Sequence, residues 1–118
     1  MHERSLLQAL LKQVNQIQVE HGQRDVEEIA VEAGALSGVE PLLLSTAFTE
    51  FAPQFPHARL TIQVVPVSAR CQSCQQTWTM EQFSSECPSC HSSLVQITGG
   101  DAFRLLHVTL GDHSMVNR

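Results

Sequence analysis

From Glu3 to Glu20 the apolar residues Leu6, Leu7, Leu10, Leu11, Val14 and Ile17 recur at steps of three and four. That spacing puts them on one face of a 3.6-residue helix. His21-Gly22 follows and supplies a C-terminal stop. The period then changes. Between Val26 and Leu36, Ile29, Val31, Ala33 and Ala35 alternate with Glu28, Ala30, Glu32 and Gly34. Alternation of this kind predicts a strand, centred on Ile29–Ala33. Ser37-Gly38-Val39-Glu40-Pro41 reads as a helix entry, because a proline in the first turn loses no helical hydrogen bond. Leu42, Leu43, Ala47, Phe48 and Phe51 carry this helix to about Ala52, where Pro53 and Pro56 stop it.

A second strand is predicted over Arg59–Val67, with Leu60, Ile62 and Val64 on one face. Pro66 places its later part at an edge or on a one-sided pairing. From Cys71 to Cys90 the apolar rhythm is lost and Gln, Ser and Cys dominate. Trp78, Met80 and Phe83 remain to cover a small apolar face. The β pattern returns at Ala102–Leu110, and a polar tail, 113–118, closes the sequence. The expected fold is α+β: a small mixed or antiparallel sheet with two helices, plus an inserted four-cysteine zinc-ribbon module. Residues 1–68 and 101–112 form a discontinuous α/β domain in this reading, and 69–100 a metal module. An insertion needs its two ends close together. The strands Arg59–Val67 and Ala102–Leu110 are therefore expected to be antiparallel neighbours.

The cysteines carry the clearest chemistry. Cys71-x2-Cys74 and Cys87-x2-Cys90 are two knuckles twelve residues apart. Each CxxC turn aims two sulfurs at one point, and two turns complete a thiolate tetrahedron suited to zinc. With little core of its own, the segment is expected to fold on the metal. Four protein ligands leave no open position, so the zinc is structural rather than hydrolytic. A dithiol redox pair and a rubredoxin-like iron site are the rivals. His91, next to Cys90, is either a surface histidine or an auxiliary ligand.

Charge narrows the partners. The 118 residues carry a net charge of −5, with seven basic residues that form no block. Phosphate neutralisation needs clustered Lys and Arg, so nucleic acid is an unsuitable partner. Hydrophobic residues make up 42% and aromatic residues 5%, which leaves one modest core built from aliphatic side chains and phenylalanine. No apolar run reaches the length of a membrane span, and MHERSLLQALLKQ lacks a signal-peptide layout. A cytoplasmic protein is expected, in which paired cysteines read as metal ligands. No side-chain constellation suggests catalysis and no glycine-rich phosphate loop is present, so an enzyme is not expected.

Met1-His2-Glu3 has two readings. One is an ordinary terminal segment. In the other, the amine, the His2 amide nitrogen and the His2 imidazole form adjacent chelate rings, a nitrogen set suited to Ni(II) or Cu(II). The remaining histidines suit metal binding less. His21 lies at a helix C-terminus, His57 in a proline-flanked loop, His107 inside a strand and His113 in the tail.

Taken in order, these pieces resemble the HypA/HybF family of hydrogenase nickel-incorporation proteins over nearly the whole chain. The resemblance rests on Met1-His2-Glu3 with Ser5-Leu6, on Gly34-Ala35-Leu36-Ser37-Gly38-Val39-Glu40-Pro41, on Ala47-Phe48 and on the paired knuckles. It implies nickel binding at the N-terminal segment. His2 would be the side-chain ligand, Met1 would contribute its amine, and Glu3 would act through its backbone or by orienting the site. It also implies zinc at Cys71, Cys74, Cys87 and Cys90. The implied role is delivery of Ni(II), as transient cargo, to the [NiFe]-hydrogenase large-subunit precursor with a partner GTPase, as a monomer or homodimer. Some relatives also serve urease. The alternative is a zinc-ribbon adaptor for protein or nucleic acid that transports no metal. Gln75 and His91 depart from the family pattern, since many relatives have glycine there. Glycine would ease a turn that needs positive φ.

Overall fold

The computed structural model describes residues 2–80 and 84–111. Helix α1 (His2–Glu20) buries Leu7, Leu10, Leu11 and Val14 on its predicted face. It ends as the sequence suggests, in a Schellman arrangement. The Gln23 amide donates to the Gln18 carbonyl at 2.9 Å and the Gly22 amide to that of Val19 at 3.3 Å, with Gly22 at φ +84°.

Strand β1 (Val26–Gly34) is the centre of a three-stranded sheet with β2 (Arg59–Val65) and β6 (Phe103–Leu110), in the order β2-β1-β6. It runs parallel to β2, with Ile29 beside Leu60 and Val31 beside Ile62, and antiparallel to β6, with Glu28 beside Thr109. The expected pairing of the strands at 59–67 and 102–110 is therefore wrong, because β1 lies between them. Strand β1, in the middle, is the most buried of the three. Ala30 is buried on its outer face as well as Ile29, Val31 and Ala33 on its inner face, whereas β2 and β6 contain no fully buried residue.

Helix α2 (Pro41–Glu50) starts at Glu40, whose carboxylate accepts the Leu42 amide. It packs through Leu44, Ala47 and Phe48. Leu42 and Leu43, two of the apolar residues that carry the predicted helix, are 73% and 47% exposed. Both helices cover the β1 face that carries Ile29, Val31 and Ala33, and Val39, Phe48 and Phe55 complete that core.

At Pro66 the chain leaves this sheet for a second one. Strands β3 (Val67–Cys71), β4 (Thr77–Met80) and β5 (Val95–Gly99) pair antiparallel in the order β4-β3-β5. The closeness of the segment's two ends is met here, with Ser68 beside Gly99. Val67 and Ala69 are fully buried, against Met80, Trp78 and Ile97 on the neighbouring strands. The module thus has a small apolar face of its own. Phe83, assigned to that face from the sequence, and His113 lie outside the described residues.

Three backbone hydrogen bonds tie the sheets where they meet. Gly34 donates to the Ala102 carbonyl at 2.8 Å, Ala35 to that of Val65 at 2.9 Å and Leu36 to that of Gly100 at 2.7 Å. Backbone here touches backbone. A Cβ on Gly34 would overlap the Gly100 carbonyl, and one on Gly100 would overlap the Pro66 carbonyl and lie 2.7 Å from Val67 Cα.

Candidate metal centre

The two knuckles are built alike. Cys71 closes β3, and its carbonyl accepts the Gln75 amide at 2.9 Å. The Cys87 carbonyl accepts the His91 amide at 2.9 Å. Each turn requires a left-handed residue, Gln75 at φ +69° and His91 at φ +63°. These are the two positions at which the sequence departs from the glycine of the family pattern. Inside each turn, amides point at sulfur. Ser73 and Cys74 donate to Cys71 Sγ at 3.3 and 3.4 Å, and Ser89 and Cys90 to Cys87 Sγ at 3.4 and 3.5 Å. A hydrogen bond of 2.9 Å between Ser73 Oγ and Ser92 Oγ joins the knuckles at their surface.

The four sulfurs lie within 4.8 Å of one another, with Cys71–Cys90 at 3.6 Å and Cys74–Cys87 at 3.7 Å. These separations are far too long for disulfides. A regular tetrahedron with metal–sulfur bonds of about 2.3 Å has edges of about 3.8 Å. The donor set therefore fits zinc in size, geometry and softness. Cys71 and Cys87 are buried, and Cys74 and Cys90 face solvent.

Four thiols this close cannot all ionise unaided. The Cys74 amide, seconded by that of Ser73, holds the Cys71 thiol down to about 6. Cys87 is also lowered, with burial opposed by the amides of Cys90 and Ser89. At Cys90 the Ser92 amide is outweighed by Cys71, burial and the other two thiols, and the group is pushed up to about 12. At Cys74 the Gln76 amide, helped by Cys90, is outweighed by burial and by the Cys87 and Cys71 thiols, and the group is raised as well. Two sulfurs are thus ready to be thiolates and two are held back by them. A bound dication removes that conflict by deprotonating the whole set.

Among the described residues, no histidine joins this cluster. His91 Nδ1 lies 3.3 Å from Glu86 Oε1, and the four cysteines are the metal-competent group among the described residues. His57 Nδ1 pairs with Asp25 at 2.8 Å, His21 Nδ1 with the Ile17 carbonyl at 2.8 Å, and His107 Nε2 lies 3.7 Å from Glu28. At the other end of the chain, α1 begins at His2, and Met1 is outside the described residues. Glu3 is 7% exposed, and its Oε2 accepts the Glu40 amide at 3.1 Å. The start of α1 is thereby fastened to the entry of α2. The sequence reading took Glu40 only as part of a helix entry and missed this contact. Its one sequence signal is the polar residue just before Pro41, in a position to cap α2.

A small α+β fold with four thiols converging on one point defines a protein with a four-cysteine site competent to hold a metal ion. A family model described as hydrogenase/urease nickel incorporation, metallochaperone, HypA matches residues 1–110. The chain belongs to this HypA family, and it is a metallochaperone rather than an enzyme. The hydrogenase maturation factor HypA of Shewanella oneidensis is 31% identical over 112 residues, covering 93% of this chain and 95% of that one. Its counterpart from Nitrosospira multiformis is 33% identical, with 93% and 97% covered. A solution structure of the Ni metallochaperone HypA from Helicobacter pylori superposes with a TM-score of 0.64 at 25% identity, over 92% of this chain and 96% of that one. A second solution structure of a HypA protein gives a TM-score of 0.69 at 26% identity, with 93% and 96% covered.

Proposed function

We propose that this chain binds Ni(II) at its first residues and hands it to the [NiFe]-hydrogenase large-subunit precursor in the cytoplasm, working with a partner GTPase that supplies the nucleotide chemistry. Nickel is held by the amine of Met1, in a chain that begins there, and by the amide nitrogen and imidazole of His2. Zinc occupies Cys71, Cys74, Cys87 and Cys90 and stays in place while nickel comes and goes. Residues 1–68 with 101–112 form the nickel-binding unit and 69–100 the zinc unit.

The observation that carries this reading is the Glu3–Glu40 tether beside His2. A buried carboxylate at the third residue fixes where α1 starts. A helix leaves its first four amide nitrogens outside its own hydrogen-bond ladder, so metal ligation there breaks no helical bond. Glu3 is in this account an orienting residue. The thiolate tetrahedron supports zinc as the resident ion, and its closed coordination separates it from a site that must load and release.

The test is calorimetric nickel titration of zinc-loaded, untagged protein and of His2→Ala. Nickel uptake of one ion per chain is expected to vanish in the variant, with zinc content and circular dichroism unchanged. Undiminished nickel binding by His2→Ala would remove the carrier reading and leave a zinc-clamped adaptor.

A further inference from the structure

We infer that Ser37 is a positioning residue for the nickel-binding terminus, because its hydroxyl fixes the bend that aims the Glu40 amide at Glu3. This role rests on the nickel binding proposed above and deepens it. Residues 35–40 connect β1 to α2, and Ala35, Leu36 and Gly38 among them are exposed. One end of the connection is fastened to the cysteine module, where the Leu36 amide donates to the Gly100 carbonyl at 2.7 Å. The other end is fastened to α1, where the Glu40 amide donates to Glu3 Oε2 at 3.1 Å. The Ser37 side chain joins the two. Its Oγ donates to the Gly34 carbonyl at 2.7 Å and accepts the Val39 amide at 3.3 Å. The Ser37 amide donates to the same Gly34 carbonyl at 2.9 Å. A hydroxyl can give one hydrogen bond and take another at once, which is what this bend uses.

Alanine at position 37 keeps the backbone bond to Gly34 but releases the Val39 amide. The next residue to resist motion is Gly38, which is exposed, has φ +82° and carries no side chain. Glycine permits the bend and leaves it loose. Val39 is buried, so its side chain anchors the chain at a point, but a pivot at one point does not set the direction of the following amide. The Glu40 carboxylate is engaged by the Leu42 amide at the start of α2, and its own amide is the group turned towards α1. A hydrogen bond from an amide to a carboxylate is charge-assisted and weakens steeply with misalignment. Loss of the Ser37 hydroxyl therefore loosens the Glu3 tether while the core is left in place. Glu3 follows His2 directly, so a carboxylate that drifts takes the first turn of α1 with it.

Nickel titration and amide hydrogen exchange of the untagged, zinc-loaded full chain test this, the exchange being followed without nickel. The proteins compared are the native chain, Ser37→Ala, Ser37→Thr and Thr49→Val, the last removing an exposed hydroxyl that bonds to the α2 backbone. Ser37→Ala is expected to bind nickel about three- to tenfold more weakly and to exchange the Glu40 amide faster by a similar factor, as the loss of one hydrogen bond implies. Its zinc content and its Leu36 amide exchange should stay native. Ser37→Thr, which keeps the hydroxyl, should restore both quantities, and Thr49→Val should change neither. Unchanged nickel affinity or unchanged Glu40 exchange in Ser37→Ala overturns the inference. So does equal acceleration at Leu36, which would make the serine a support of the sheet junction, or a Ser37→Thr protein that behaves as Ser37→Ala does. A native chain that takes up no nickel dependent on His2 defeats the carrier reading and this role together, and that failure is distinct because it appears before any residue is changed at position 37.

Discussion

Three glycine substitutions separate the two forces that shape the junction between the sheets. Gly22 has φ +84° and open space around it, so alanine there adds backbone strain and nothing else. Gly34 lies outside the left-handed region, but a Cβ would collide with Gly100 and come within 2.8 Å of the Asp101 nitrogen. Gly100 has both problems, with φ +83° and a Cβ driven into Pro66 and Val67. Left-handed strain costs about 1–2 kcal/mol, partly offset because alanine also restricts the unfolded chain by about 0.4–1 kcal/mol. Overpacking against backbone adds about 1–3 kcal/mol. With the same offset applied throughout, Gly22→Ala is expected to cost about 1 kcal/mol, Gly34→Ala about 0.5–2 and Gly100→Ala about 2–4. At about 4 °C per kcal/mol, the Tm falls by about 4 °C for the first and by about 8–16 °C for the last. The assay is thermal unfolding of zinc-saturated protein followed by far-ultraviolet circular dichroism. If Gly100→Ala unfolded no earlier than Gly22→Ala, or Gly34→Ala were neutral, the tight backbone junction would not be holding the sheets together.

Replacing the strained knuckle residues should strengthen metal binding. Gln75→Gly with His91→Gly relieves roughly 1 kcal/mol in all once the extra freedom of glycine in the unfolded chain is subtracted. Zinc affinity is expected to rise several-fold in competition with a chromophoric chelator, and an unchanged affinity would show the turns to be relaxed as they stand. Glu28 gives a pH signature. Its carboxyl is held below the usual 4.5, chiefly by the Thr61 hydroxyl and, against some desolvation, by Arg59, His107 and Thr109. A group whose folded pKa is depressed stabilises fully above its unfolded pKa and loses that contribution as pH falls through the folded value. Denaturant midpoints of the native protein and Glu28→Gln should therefore differ near neutrality and converge below pH ~4. Persistent separation in acid would assign the difference to packing instead.

Local features were legible in the sequence where one element's own pattern decides them. The α1 stripe and its Gly22 stop, the Pro41 start of α2 and the paired knuckles all fall in this class. Register between elements was not. In α2 three consecutive leucines leave the helical phase undetermined, and Leu44, on the same face as Ala47 and Phe48, reached the core rather than Leu42 or Leu43. Strand order was misread for a related reason. Closeness of the insertion's ends is a correct constraint, but β3 and β5 satisfied it and left β1 free to take the middle. The short alternation of Val95 and Ile97 in β5 gives too weak a pattern to predict a strand, because serines and glycines flank it. The Glu3–Glu40 contact spans 37 positions, and no local pattern announces it.

The central place of β1 also bears on how the protein is made. One side of this strand is satisfied once β2 has been synthesised, and the other waits for β6, about forty residues later. At ~5–20 residues per second, the ribosome takes roughly 2–8 s to cover that distance. Throughout that interval the central strand presents a bare flank to the cell, while the cysteine loops emerge. Supply of zinc during translation, by gathering the ends of that intervening stretch, would shorten the time the nascent chain is open to mispairing.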